Sequence, residues 1–448
     1  MKNVVWWAGV KTGEFKEKYG GHNWIDISRK SWEFWCKRND VLFVPLEEPI
    51  EEDVRKYRIN WQKSIFVFDE LERRGIDYNQ ICLVDASSII RWDAPNFFNL
   101  TEGKFSAVRE TDNMHWMLQS VEGYEPFFNF KLDTKKYFSS GFLVFNREHR
   151  KMFNSFKQLY IDNVDEFVKM QDETVGKGTE QTPLNYWVQK NNVEVNLLPP
   201  TWKLTHIQRK EMFSHNWQLQ EDTRQFFMKY GYIWFFTGIA KDQRSDIMNQ
   251  VWNAYQHFYS EDYVLNQVSG KHQAKYTTSS RFKEDLLHYF SHPNCKKMTV
   301  LELGSCRGDT TRILSECFGK VISFELNPDN VKEARELNKD RSNVTITQAD
   351  VYSNEFSLPN ETIHVAFVDA GHTTERVLYD INRISEKYGK IIYIFDDFGQ
   401  VDEVIKKAIY QAQSEGKLTI ARYIGENAGF VTANGKKFKT AEGIICNI

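Results

Sequence analysis

Five acidic side chains stand directly after apolar runs in the last third of the chain. They are Glu325, Asp350, Asp369, Asp396 and Asp397. Parallel strands bring their carboxyl ends to one edge of a sheet, so these acids are expected to converge on a shared crevice. A carboxylate there can accept two hydrogen bonds from a ribose diol, and several carboxylates can ligate Mg²⁺. The pattern predicts a nucleoside-like ligand beside a divalent cation.

A turn with two glycines follows the first of these apolar strands. The run from Met298 to Leu303 leads into Gly304 and Gly308, and a helix with apolar residues comes next. Glycines let the backbone approach a ligand closely and adopt dihedral angles closed to other residues. Strand, glycine-rich turn and helix in this order form the first ligand loop of a doubly wound sheet. This part of the chain is therefore predicted to be α/β and Rossmann-like.

These elements resemble the class I S-adenosylmethionine-dependent methyltransferases, and the resemblance covers roughly residues 276–448. It assigns the methionine part of the cofactor to Glu302, Gly304, Ser305 and Gly308. It also implies that Glu325 binds the ribose hydroxyls and that Asp350 lies near the adenine amine. Glu302 could instead pair with an arginine, either Arg307 or Arg312.

The acids after the fourth and fifth strands resemble those of metal-dependent O-methyltransferases, including macrolide-sugar and catechol-type enzymes. An alcohol has a pKa far above 7, so its methylation needs a general base, a metal ion or both. The resemblance implies that Asp369, Asp396 and Asp397 ligate Mg²⁺ and that His372 is the base. Asp369 would thus share the catalytic role with His372.

Structural roles for the same residues stay open. Asp369 could cap the helix that begins near Thr373, and Asp397 could serve the turn at Gly399. His372 could be a solvated loop histidine.

In the first half, an apolar strand at residues 81–84 runs into Asp85 and Ser87. This resembles the Asp-x-Asp motif of GT-A glycosyltransferases, of the glycogenin and capsule-building type. Three further matches follow in the family's order, at residues 137–146, 180–185 and 235–241. The resemblance implies a nucleotide-sugar donor held by Asp85, Ser87, Arg91, Glu180, Gln181, Gly238 and Lys241, with Asp85 catalytic.

Two of the family's usual ion ligands are missing from this half. Ser87 stands in place of the second acid, and Phe235 stands in place of a histidine. Divalent cations prefer several oxygen ligands, so Asp85 alone would hold Mn²⁺ or Mg²⁺ poorly. His206 and Asp93 could complete a metal site, or Lys241 and Arg91 could bind the donor instead. Glu180 and Asp112 are candidate bases for sugar transfer.

The composition divides the chain of 448 residues into two parts. All 13 tryptophans lie between Trp6 and Trp252. The predicted domains are a GT-A-like domain at residues 1–259, a linker at 260–278 and a methyltransferase domain at 279–448. A net charge of −3 argues against a nucleic-acid partner. No apolar stretch is long enough for a membrane span, and six scattered cysteines favour reduced thiols in a cytoplasmic protein.

The sequence therefore predicts a bifunctional enzyme with a glycan or polysaccharide acceptor. It would transfer a sugar from a nucleotide sugar and O-methylate a sugar hydroxyl with S-adenosylmethionine. In the alternative, only the methyltransferase is catalytic, and the first domain is a glycan-binding module that presents the acceptor. A methyltransferase of nucleic acid or protein, and a complex subunit with both sites decayed, are weaker hypotheses.

Overall fold

The computed structural model describes most of the chain. The described residues are 1–11, 23–110, 113–174, 179–205, 231–239, 241–271, 273–400, 402–427, 429–433 and 435–447. The chain separates into two compact units, residues 1–259 and 260–448. Both units are α/β, and the second has a Rossmann-like sheet, which confirms the predicted fold class.

Strands and helices alternate through the first unit. Its strands are β1 (Lys2–Ala8), β2 (Leu42–Leu46), β3 (Tyr78–Asp85), β4 (Ser88–Ile90), β5 (Ser106–Arg109), β6 (Phe138–Asn146), β7 (Asn196–Leu198) and β8 (Ile233–Phe235). Its α-helices are α1 (Asn23–Arg38), α2 (Ile59–Ile65), α3 (Val67–Arg73), α4 (Phe98–Thr101), α5 (Met114–Phe128), α6 (Arg150–Asp162), α7 (Val164–Lys169), α8 (Gln181–Lys190) and α9 (Lys241–Tyr255).

A six-stranded mixed sheet forms the centre of the first unit, in the order β2-β1-β3-β6-β5-β7. The strand β3 runs parallel to β1 and antiparallel to β6. Hydrophobic clusters cover both faces of this sheet, which is why residues 81–84 are fully buried and read as a continuous apolar run. Val84 pairs with Phe142, so the carboxyl end of β3 brings Asp85 beside Gly141.

The second unit alternates more regularly. Its strands are β9 (Thr299–Leu303), β10 (Lys320–Glu325), β11 (Val344–Gln348), β12 (Val365–Val368), β13 (Ile392–Phe395), β14 (Thr419–Ile424) and β15 (Gly443–Asn447). Its α-helices are α10 (Ser280–Tyr289), α11 (Asp309–Cys317), α12 (Pro328–Leu337), α13 (Thr374–Tyr388) and α14 (Val404–Ser414).

The seven strands of the second unit form one sheet in the order β11-β10-β9-β12-β13-β15-β14. The first five of these strands are parallel, and β15 pairs antiparallel with both β13 and β14. The strand order reverses between β9 and β12. In such sheets ligands bind outside the carboxyl ends of the strands at this reversal. The topology therefore places the predicted acids at one edge.

The segment predicted to be a linker belongs to the second unit, because Val264, Leu265 and Val268 are buried in its core. In the first unit, the helices α2 and α3 meet at Phe66, where ψ is 0°. In the described part of the chain, every helix is too short or too polar to cross a bilayer.

Candidate functional site

The glycine turn of the second unit is fixed by close backbone contacts. Gly304 has a φ of +91°, and a Cβ at this position would lie 2.8 Å from the carbonyl oxygen of Asp369. Gly308 has a φ of +84°, and its Cβ would lie 2.7 Å from Nδ2 of Asn338. Only glycine combines these dihedral angles with these contacts at low cost. The two glycines therefore allow the turn to lie against the end of β12 at Gly304 and against the end of α12 at Gly308.

Glu325, at the end of β10, is held by this turn. Its carboxylate accepts hydrogen bonds from the backbone N–H of Cys306 at 2.8 Å and of Asn327 at 2.9 Å. Nδ2 of Asn330 also donates to Oε1, at 3.4 Å. A carboxylate has about four lone-pair sites, so Oε2, which accepts from Cys306, keeps capacity for a further donor. The side chain is oriented in advance, with its remaining lone pairs available to a ligand.

A cavity of about 680 Å³ opens at the carboxyl ends of the parallel strands. The structure brings together there most of the residues predicted for this site: Gly304, Glu325, Asp350, Asp369, His372, Asp396 and Asp397. The backbone N–H of Tyr352 donates a hydrogen bond to the carboxylate of Asp350 at 2.9 Å and so orients this side chain. The volume lies within the range of pockets that hold small-molecule cofactors.

The ammonium group of Lys271, which no sequence motif indicates, lies among these acids. Nζ of Lys271 donates to both oxygens of Asp396, at 2.8 and 3.0 Å, and to Asp397 at 3.0 Å. It also lies 3.1 Å from Glu442, whose side chain is fully buried. Burial alone would lower the pKa of Lys271, but these carboxylates outweigh it and raise that pKa well above its usual range. Lys271 is therefore charged.

The acids respond to burial and to one another. Burial raises the pKa of Asp369 well above its ordinary value, and the neighbouring Asp396 and Asp397 add to this. Burial likewise raises the pKa of Asp396 to about 7, against the opposing effect of Lys271. For Asp397 the attraction of Lys271 outweighs burial and lowers the pKa.

The predicted metal ligands are only partly brought together. One ligand atom each from Asp369, His372 and Asp397 lies within 4.8 Å of the others, and such a group could hold a metal ion. Asp396 is absent from this group and has both oxygens bonded to Lys271. Nδ1 of His372 lies 3.9 Å from Oδ2 of Asp397, and its side chain is 65% exposed. Two carboxylates and an imidazole suit a divalent cation.

Glu302, Ser305 and Gly308 are not among the residues that line the cavity. Glu302 is fully buried behind the turn, where Oγ1 of Thr311 donates to its carboxylate at 2.6 Å. Burial raises the pKa of Glu302 to about 7. Its suggested arginine partners are engaged elsewhere: Arg312 with Asp340 and Arg307 with Glu333. The assignment of these three residues to the methionine part of the cofactor stays a prediction.

The first unit has its own cavity, of about 470 Å³, at the carboxyl end of β3. Of the predicted donor-binding residues, Asp85, Gln181 and Gly238 line it. Two cations that the sequence analysis missed, Lys203 and Arg244, line it as well. Lys203 pairs with Glu110 at 3.0 Å. The resemblance at residues 137–146 also leads here, since Ser139 and Gly141 belong to the lining.

A buried lysine binds the acid at the end of β3. The side chain of Lys63 on α2 is 1% exposed, and its Nζ donates to Oδ1 of Asp85. Glu180 lies 3.1 Å from the same ammonium group and accepts a hydrogen bond from Ser140 at 2.7 Å. Burial would lower the pKa of Lys63, but Asp85 and Glu180 outweigh it and raise it. Lys63 is a permanent counter-ion of both acids.

Arg91 and Ser87 lie outside the residues that line this cavity. Arg91 is 2% exposed and donates to Asp93 at 2.8 Å, so both are occupied in a buried ion pair. Ser87 is buried, and its carbonyl accepts the N–H of Phe236. Arg91 and Asp93 are therefore engaged with each other in this structure, and their suggested roles in donor binding and ion ligation stay predictions.

The remaining candidates of this half are not all described. His206 and Asp112 lie outside the described residues, and so does the side chain of Lys241, although its backbone begins α9.

Comparison with known proteins adds one family match. Residues 301–397 match a family model described as a methyltransferase domain. The second unit therefore carries a methyltransferase domain. No curated protein matches the chain.

Several solved structures are similar at low identity. A putative O-methyltransferase from Klebsiella pneumoniae is 16% identical with a TM-score of 0.33, over 45% of this chain and 98% of that one. A precorrin-6y C5,15-methyltransferase from Geobacter metallireducens GS-15 is 15% identical with a TM-score of 0.31, over 41% and 94%. A glycosyltransferase involved in the glycosylation of the major capsid of PBCV-1 is 9% identical with a TM-score of 0.32, over 56% and 100%. Similarities of this size carry no inference about activity.

Proposed function

We propose that the second unit transfers a methyl group from S-adenosylmethionine to a sugar hydroxyl. The single observation that carries this proposal is the shared cavity. It is lined by Glu325 and Asp350, which follow β10 and β11, and by Asp369, His372 and Asp397, which follow β12 and β13. Methyl transfer to an alcohol requires a binding site for the nucleoside of the cofactor and an acid–base group next to it. The residues at this edge of the sheet could supply both.

The residues of the turn fit this cofactor. Gly304 lines the cavity, and without a side chain at this position the backbone can approach a ligand closely. Glu325 would accept the ribose hydroxyls, because its two backbone donors leave lone pairs unused. Asp350 would accept the adenine amine. When bound, S-adenosylmethionine supplies an electrophilic methyl group on a sulfonium.

The acceptor hydroxyl would lose its proton to His372. This imidazole is exposed at the cavity, and Asp397, at 3.9 Å from Nδ1, would orient it and stabilise its protonated form. A single nitrogen of His372 cannot accept a proton and ligate a metal ion at the same time. We assign Nδ1 to the Asp397 side and Nε2 to the acceptor proton.

A divalent cation at Asp369 and Asp397 supports the same chemistry. Three carboxylates contact Lys271, and Asp369 lies close by, so negative charge exceeds positive charge in a buried cluster. Buried charge without compensation is costly, which favours uptake of a cation or of protons. A bound Mg²⁺ would lower the pKa of a hydroxyl that it ligates.

The test is methyl transfer from isotopically labelled S-adenosylmethionine to a panel of free sugars and oligosaccharides, with the full chain. Each reaction is run with Mg²⁺ and with a chelator. Label in at least one sugar, lost in the His372→Gln variant, supports the proposal. Label only in protein or nucleic-acid acceptors added to the same panel would contradict it. Loss of activity in the presence of the chelator supports a bound divalent cation. Unchanged activity would contradict this part of the proposal.

For the first unit we propose sugar transfer from a nucleotide-sugar donor. The observation that favours it is the convergence of Asp85, Gly141, Gln181 and Gly238 on one cavity, from four segments distant in the sequence. Those segments carry the GT-A resemblance. Coupling of the two activities in one chain would let the methyl group mark the sugar just added.

The rival function for the first unit is a glycan-binding module without catalysis. The two are separated by incubating the full chain with a panel of nucleotide sugars and measuring release of the nucleoside diphosphate. Release that Asp85→Asn abolishes supports transfer. Binding of oligosaccharides without any release of nucleotide supports the module.

A further inference from the structure

We propose that the first-unit cavity binds the diphosphate of its donor without a divalent metal ion, with Arg244 contacting the phosphates and Lys63 occupying the acid that would otherwise hold the ion. This inference rests on the proposed sugar transfer by the first unit. It differs from the metal-dependent site that the GT-A resemblance implies.

The residues present do not fit a metal ion at Asp85. Oδ1 of Asp85 accepts from the buried ammonium group of Lys63, and Oδ2 faces Gly141, where a Cβ would lie at 3.2 Å. Ser87 contributes no second carboxylate, and the position expected for a histidine is the buried Phe235. A divalent cation needs several oxygen ligands, and the ammonium group of Lys63 beside Asp85 would repel it. Glu110, which also lines the cavity, is paired with Lys203.

Lys63 could not leave this position without cost. It is enclosed between Asp85 and Glu180, and the side chains of Lys63 and Glu180 are 1% and 2% exposed. Removal of the ammonium group would leave two carboxylates close together in a buried site. Lys63 is thus a fixed structural partner of Asp85 and Glu180, and a metal ion would not displace it.

Arg244 supplies the charge that a diphosphate needs. It lies in the first turn of α9, lines the cavity, and packs over the ring of Trp24 at 5.2 Å. One terminal nitrogen donates to the carbonyl of Ile239 at 3.3 Å, and within the described residues Nε is buried without a hydrogen-bond partner. A guanidinium group binds phosphate oxygens through two parallel N–H donors.

The surroundings of Arg244 suit phosphate. Thr237 and Gly238 line the cavity next to it, and Gly238 has a φ of +81°, which lets the backbone of this turn approach a ligand. Lys203 is a second cation of the lining, paired with Glu110. The cavity therefore presents two cations and a glycine turn, and the acid at its floor already has a counter-ion.

The experiment is a titration of the full chain with uridine, guanosine, thymidine and adenosine diphosphates, followed by tryptophan fluorescence. All tryptophans precede residue 253, and Trp116 lines this cavity, so the signal reports the first unit alone. Each titration is run with a chelator and with Mn²⁺. We expect at least one nucleotide to bind with the same affinity, within about twofold, in both conditions.

Two variants extend the test. Arg244→Gln is expected to weaken nucleotide binding at least tenfold in the chelator, whereas the exposed Arg55→Gln leaves it unchanged. Lys63→Met frees Asp85 and Glu180 to act as oxygen ligands, so its nucleotide binding is expected to depend on Mn²⁺. Should Lys63→Met fail to fold, the chelator comparison and Arg244→Gln still decide.

The outcomes separate the two proposals. Nucleotide binding that requires Mn²⁺ in the unaltered chain overturns the metal-independent site and leaves sugar transfer standing. Equal affinity of Arg244→Gln and the unaltered chain overturns the role of Arg244. Absence of binding by every nucleotide, with and without Mn²⁺, overturns sugar transfer and this inference together.

Discussion

Nζ of Lys271 donates to both carboxylate oxygens of Asp396, at 2.8 and 3.0 Å. This contact joins the segment before α10 to the end of β13, and Asp396 is absent from the group of possible metal ligands formed by Asp369, His372 and Asp397. The same ammonium group donates to Oδ1 of Asp397, whose Oδ2 lies 3.9 Å from Nδ1 of His372. Lys271 therefore positions two of these acids and neutralises part of their charge.

Lys271→Met is expected to destabilise the second unit by about 3–5 kcal/mol, because it removes the ammonium group that contacts the buried Asp396 and Glu442. The measurement is chemical unfolding followed by circular dichroism. Tryptophan fluorescence reports the first unit alone, since all tryptophans precede residue 253. The exposed Lys275→Met on the same segment is the control and should change stability little. Equal stability of both variants would show that Lys271 is not the required counter-ion.

Gly304→Ala is expected to destabilise the second unit more than Gly416→Ala does. Both glycines have positive φ, +91° and +71°, so both substitutions carry backbone strain of about 1–2 kcal/mol. Only at Gly304 would the new Cβ meet another group, the carbonyl oxygen of Asp369 at 2.8 Å. The difference between the two unfolding free energies therefore isolates the contact between β9 and β12. A difference of zero would contradict that contact.

Glu302 should make the second unit less stable as pH rises from about 4.5 to 7. Burial raises its folded pKa to about 7, whereas the unfolded carboxyl loses its proton near its ordinary pKa. Between these values the folded state binds more protons, so the free energy of unfolding falls with rising pH, by on the order of 3 kcal/mol in total.

Glu302→Gln tests this directly, because the amide has the same shape and does not titrate. Unfolding at pH 5 and pH 7, followed by circular dichroism, should show a smaller loss of stability in this variant than in the unaltered chain. Identical slopes for both proteins would mean that the buried carboxyl does not hold its proton.

His372→Gln is expected to lower the rate of methyl transfer by about 10²–10⁴-fold, the usual contribution of a general base. Cofactor affinity should stay unchanged, because His372 follows β12, whereas Glu325 ends β10, and β9 lies between these two strands in the sheet. The two quantities are measured by labelled methyl transfer and by calorimetry. Weakened cofactor binding with an unchanged rate would reassign His372 to the cofactor.

Much of the second unit could be predicted because its candidate site residues stand directly after its strands in the sequence. Apolar runs that end in Glu325, Asp369 and Asp396 are visible in the sequence, and parallel pairing then brings their ends together. The glycine turn was equally visible. The apolar pattern does not predict the direction in which each side chain points. The sequence alone therefore could not show that Glu302 is buried and does not line the cavity.

The two buried lysines could not have been predicted from local sequence. Lys63 lies on a helix 22 residues before Asp85, and Lys271 lies 125 residues before Asp396. A lysine in a polar stretch is ordinarily exposed, and only tertiary packing places these two against carboxylates. The same holds for Arg91, whose burial beside Asp93 follows from the pairing of β4 with β8 and from no motif.

The most direct test of the methyltransferase assignment is a calorimetric titration of the full chain with S-adenosylmethionine. We expect one site per chain, an affinity weakened at least tenfold by Glu325→Gln, and no change in the matched control Glu336→Gln on the exposed side of α12. No detectable binding, or equal affinities for both variants, would contradict the account.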